Sequence, residues 1–109
     1  MRLMVLLVAA GLLWSPPVFA DYVSGNELYK ECTADIRESP GDIGLCAGYV
    51  EGLADAHGLD GTTCIPQGVS VGQVKDVIVK YLTQNPELRH FGASLLGFAA
   101  LAQAFPCKK

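Results

Sequence analysis

Residues 46–64 read CAGYVEGLADAHGLDGTTC. Cys46, Cys64, His57 and the acids Glu51, Asp55 and Asp60 crowd into this stretch. Three chemistries compete for it: a metal site, a cysteine nucleophile with its base, or structural cysteines. The apolar spacing decides what carries them. Ile43, Cys46, Ala47, Val50, Leu53, Ala54 and His57 recur at helical intervals, and Gly58 ends the pattern. One cysteine therefore lies inside a helix and the other beyond its end. Cys46, His57 and Cys64 lack the close C-x-x-C or H-x-x-x-H spacing of tetrahedral zinc sites. His57, on the apolar face, reads as a half-buried packing residue.

The cysteine reading turns on the compartment, and the N-terminus supplies it. The chain opens MRLMVLLVAAGLLWSPPVFA. Arg2 precedes an apolar run from Leu3 to Trp14, and Val18-Phe19-Ala20 puts small residues at −3 and −1 before Asp21. That is the pattern signal peptidase reads. The run is shorter than the roughly 20 residues a spanning helix needs. Residues 1–20 are expected to be removed, leaving 21–109 as one exported, periplasmic domain with no membrane anchor. Cys32, Cys46, Cys64 and Cys107 all fall in that part. An even number in a short exported chain reads as two disulfides, which leaves no thiol for catalysis.

Removing Arg2 leaves seven Lys/Arg against eleven Asp/Glu. The balance is acidic, and Lys108-Lys109 is the one basic cluster. Nothing favours nucleic acid or an anionic membrane. No paired carboxylates, metal set or nucleophile with a base emerges, so the chain reads as a non-enzyme without a cofactor. A chain this short buries a modest core, and staples compensate.

Four helices are expected, with one short turn between the third and fourth. Ser24-Gly25-Asn26-Glu27 is a capping box that starts the first, with Leu28, Cys32 and Ile36 on one face and a stop at Ser39-Pro40-Gly41. Asp42 is the expected cap of the second, which runs to about His57. Ser70-Val71-Gly72-Gln73 caps the third, whose buried face is Val71, Val74, Ile78, Tyr81 and Leu82. Asn85-Pro86 breaks it, and Pro86–Arg89 is expected to form the turn. The fourth, roughly Ala93 to Phe105, is apolar nearly all round. Such a helix is normally surrounded, which suggests a homodimer formed through it.

The order of helices pairs the cysteines. The first two helices should run antiparallel about the turn near Pro40, bringing Cys32 and Cys46 to similar height. The third helix runs away from the far end of the second and the fourth returns, carrying Cys107 towards Cys64. Of three possible connectivities, Cys32–Cys46 with Cys64–Cys107 is the expected one.

Two other signals need a reading. Gly68-Val69-Ser70-Val71-Gly72 matches G-x-S-x-G, the nucleophile elbow of α/β-hydrolases. No buried strand precedes it, Ser70 is already a helix cap, and His90 is the one histidine after it. A hydrolase is not indicated. Gly44, Gly48 and Gly52 form a stripe on the second helix, each costing about 1 kcal/mol relative to Ala. Close approach of another backbone would offset that cost; a docked partner is the rival explanation.

The ordered set of motifs suggests a family. It comprises S-G-N-E-L from Ser24 with Cys32, then Cys46-x-x-Tyr49-x-x-Gly52-x-x-Asp55-Ala56, and Cys64-Ile65-Pro66-Gln67-Gly68-Val69-Ser70-x-Gly72-Gln73. Val77-Ile78-Val79-Lys80-Tyr81-Leu82, Pro86-Glu87-Leu88-Arg89 and Ala104-Phe105-Pro106-Cys107 complete it. The sequence resembles the Rap/Tai family of resistance-associated proteins and type VI amidase immunity proteins. The resemblance implies an all-helical, disulfide-bonded, often dimeric periplasmic protein. Its implied partner is an amidase toxin that cuts peptidoglycan stem peptides, bound so that its active site is occluded.

Within such a protein the Leu59–Gln67 loop is the best candidate to protrude. Asp60, Thr62, Thr63 and Gln67 are its candidate contacts, against the rival reading of an ordinary polar turn. The competing reading is a small helical stress chaperone that frees apolar surface on acidification, with the fourth helix as the source.

Overall fold

The computed structural model describes residues 21–59 and 61–108. The expected cleavage between Ala20 and Asp21 involves residues outside that set. The described chain forms four α-helices: α1 Gly25–Cys32, α2 Pro40–Ala56, α3 Val71–Gln84 and α4 Ala93–Ala104. A single 3-10 turn, Pro86–Leu88, joins α3 to α4 where Pro86 cannot continue the helix. No strand is present among the described residues, and the fold class is all-α, as the periodicity implied.

Each helix packs against the other three. Leu28 of α1, Val50 of α2, Val74, Ile78 and Leu82 of α3, and Leu101 of α4 meet in one core and are essentially inaccessible. The α3 face is the expected one at Val74, Ile78 and Leu82. Tyr81 is half-buried, whereas Val71, in the first turn, is exposed.

Two helix boundaries differ from the sequence reading. The first helix ends at Cys32, because Thr33 closes it: its N–H and its hydroxyl both donate to Tyr29 O, at 3.0 and 2.7 Å. Asp35 then holds a turn, its carboxylate accepting from Arg37 N–H at 2.8 Å and its carbonyl from Ser39 N–H at 2.8 Å. Ile36 thus falls in the connection and is 66 % exposed, not on a helical face. The second helix starts earlier than Asp42. Ser39 is the N-cap and Pro40 sits in the first turn, where its missing N–H costs nothing. Asp42 lies in that turn, placing its charge at the positive end of the helix.

One face of the fourth helix is covered by its own chain: Ala93, Leu96, Gly97, Ala100 and Leu101 are buried against the other three helices. Leu95, 63 % exposed, is the large apolar side chain left outside. Gln103 and Ala104 are exposed as well, so part of α4 stays open to solvent.

The start of α1 is held by the segment before α4. Asn26 N–H donates to Arg89 O (2.7 Å) and Gly25 N–H to Phe91 O (2.8 Å), while Ala93 N–H donates to Val23 O (2.8 Å). The Arg89 guanidinium lies 4.2 Å from the centre of the Tyr29 ring, a cation–π contact between the same two segments.

Candidate functional site

The stretch 46–64 resolves into a buried staple, a helix end and a pinned loop. Cys32 and Cys46 are bonded, as are Cys64 and Cys107, with Cα–Cα separations of 5.0 and 4.9 Å. Both pairs are those expected from helix order, and no cysteine is free. His57 is half-buried at the C-cap of α2, its Nδ1 against Ala54 O. No group of His, Cys, Asp and Glu able to hold a metal ion occurs among the described residues.

The loop between α2 and α3 is attached to the C-terminal end of α4. Thr63 forms an antiparallel bridge with Pro106, and Cys64 N–H donates to Phe105 O at 2.8 Å. The Cys64–Cys107 bond lies beside these contacts. Ile65 and Val69 pack against the core edge. Gly61 and Gly68 take positive φ, +71° and +95°, which turns the chain at either end of the pinned segment.

This geometry sorts the expected contact residues. Thr62 and Gln67 are exposed. Thr63 is 2 % exposed and faces inward, since neighbouring side chains in extended backbone point to opposite sides. Its hydroxyl has no hydrogen-bond partner. Thr63 is therefore corrected from contact residue to anchor. Asp60 lies outside the described residues. Leu59 is 88 % exposed, and the sequence reading did not single it out. The available signal was a large apolar residue placed just after the glycine that ends a helix.

The hydrolase-like motif is a helix start. Gln73 N–H donates to Ser70 Oγ (3.2 Å) and Ser70 N–H to Gln73 Oε1 (2.7 Å), a reciprocal capping box. Helix α3 separates Ser70 from the segment carrying His90 by about 20 Å at 1.5 Å per residue, too far for a proton relay.

The glycine stripe does not find the backbone it was expected to meet. Gly44, Gly48 and Gly52 are exposed, and no heavy atom lies within 4 Å of where a Cβ would stand on any of them. Glu51 and Asp55 are exposed beside them, and α2 carries no basic residue. Contacts within the chain give these glycines no compensation.

Two carboxyl and phenol groups have shifted acidity. Partial burial, then the Asp42 and Glu27 carboxylates, push Glu31 above its ordinary value. Burial raises Tyr49 above the usual phenol value, opposed by its side-chain hydrogen bond with Ser94. Neither group sits in a cluster suited to proton transfer.

Residues 24–107 match the family of Rap1a immunity proteins. The chain belongs to that family. The match spans every described helix and all four cysteines, so the staples and the α2–α3 loop are parts of the Rap1a domain. No curated protein matches the chain. Membership of the Rap1a family implies a cognate toxin as partner.

Proposed function

We propose that this protein is a periplasmic immunity protein. It binds a type VI-secreted peptidoglycan amidase, occludes the active site and so protects the producing cell. The observation that carries the reading is the Rap1a match over 24–107. The two disulfides fit an exported protein, because such bonds persist in oxidising compartments. No described helix is long and apolar enough to cross a membrane. The acidic balance favours a basic partner surface.

The contact surface in this reading is the pinned loop, through Leu59, Thr62 and Gln67. It is held on both sides, so little ordering entropy is lost when a partner docks. The chaperone alternative requires α4, buried at Leu96, Ala100 and Leu101, to be released on acidification.

The test is native mass spectrometry of the oxidised chain with secreted proteins of type VI-active relatives, followed by titration calorimetry with the partner retained. The expected result is one amidase in fixed ratio, inactive in the complex. Replacing Leu59, Thr62 and Gln67 by alanine should weaken it at least tenfold. Unchanged affinity would remove the loop from the interface. Retention of many unrelated proteins would sink the immunity reading.

A further inference from the structure

The two disulfides sit in different surroundings. Cys32 and Cys46 are 5 % and 2 % exposed within the helical core. Cys46 forms part of the floor of an apolar groove with Ile43, Ala47 and Val71, yet its own accessibility is nearly nil. Cys64 is exposed and Cys107 half-buried. Exchange with an external thiol needs the attacking thiolate to reach a sulfur in line with the bond, so access sets the order of reduction.

What each bond holds also differs. Cys32–Cys46 ties α1 to α2 inside the core. Cys64–Cys107 ties the loop to the tail after α4, outside every helix. Without it, the loop is still joined to the tail by the Cys64 N–H to Phe105 O hydrogen bond and the bridge at Thr63 and Pro106, while Ile65 and Val69 rest on the core edge. Such contacts at the end of the helical core open at lower free energy than the core itself.

We propose that Cys64–Cys107 is a reducible latch on the 61–67 loop, opened by a dithiol reductant while Cys32–Cys46 and the helical core stay intact. One thiolate of the dithiol attacks a latch sulfur and forms a mixed disulfide, and the other cysteine leaves as thiolate. The second thiol of the reductant then closes its own disulfide and releases the remaining cysteine. Two electrons pass from the dithiol to the cysteine pair. The consequence for binding rests on the reading of this loop as the contact surface: the open form no longer ties that surface covalently to the tail after α4.

The experiment is a dithiothreitol titration of the oxidised protein. Free thiols are trapped with iodoacetamide and mapped by peptide mass spectrometry, with hydrogen exchange followed on the same samples. The expected result is modification of Cys64 and Cys107 at least tenfold lower in reductant than Cys32 and Cys46. Amides of residues 61–67 and 105–108 should lose protection while those of α1–α4 keep it. Simultaneous reduction of both pairs, earlier reduction of Cys32–Cys46, or loss of helical protection with the first pair would overturn the latch. A Cys64→Ser/Cys107→Ser variant separates the binding question. Weakened partner binding there extends the latch to the interface. Unchanged binding ends the latch as a control of binding, while the contact reading stands or falls with the alanine variant of Leu59, Thr62 and Gln67.

Discussion

At Gly25 two backbone segments meet with no room for a methyl group. A Cβ there would stand 2.8 Å from Arg89 O and 3.1 Å from Arg89 Cα, and closer still to Leu96 Cδ1. The backbone atoms cannot rotate away, because Arg89 O accepts the Asn26 N–H that starts α1. Gly25→Ala should cost about 1–3 kcal/mol by over-packing, seen as a lower urea midpoint at unchanged slope. Glu31 gives a prediction of pH dependence. Its folded-state pKa is raised by burial and by Asp42 and Glu27. A raised value means the protonated form suits the fold, so its contribution is full below the ordinary 4.5 and is lost as pH rises through the folded value. Glu31→Gln should therefore melt at higher temperature than the wild type at pH 7. The gap should close on acidification below the ordinary value and shrink in salt. A gap that widens on acidification would contradict the assignment.

Helix α2 shows how an element can depart from its own best sequence. Gly44, Gly48 and Gly52 weaken it, and their positions are open. Alanine at each should stabilise the isolated protein by about 0.5–1 kcal/mol, and the triple variant by roughly 2. Thermal and urea unfolding would check this; a triple variant no more stable than the wild type would show a hidden constraint on that face. The ends of the helices teach a complementary lesson. Ser24 and Ser70 were readable as caps, since the residues they bond lie three positions on. The stop at Cys32 was not readable from apolar spacing. Ile36 continues that spacing, but Thr33 and Asp35 claim the backbone groups a further turn would need.

For the whole molecule the staples are comparable to the total stability of a small domain. Chain-entropy estimates give about 3 kcal/mol for the 14-residue separation and about 4 for the 43-residue one, against roughly 5–15 for a typical fold. Removing the inner pair with Cys32→Ala/Cys46→Ala should lower unfolding free energy by about 3 kcal/mol. Calorimetric melts should show the loss without dependence on added thiol. Reduction of both pairs should leave the chain largely unfolded at 37 °C, with loss of helical circular dichroism. Tertiary packing also decided exposure at this scale. It covered one face of α4 with its own chain, and it turned Thr63 inward while leaving Leu59 in water.

What the sequence determined by itself was local or set by order along the chain. Helical spacing marked Val74, Ile78 and Leu82, the caps marked where α1 and α3 begin, and the succession of four helices returned Cys107 to Cys64. These depend on residues a turn apart, or on topology that short connections restrict to few choices. The tertiary structure alone decided which faces were covered. The exposure of the α2 glycines, the burial of one face of α4, the inward Thr63 and the unequal accessibility of the two disulfides all depend on segments distant in the chain. Burial is a property of neighbours in space, and spacing along one helix says which face is apolar, not what comes to cover it.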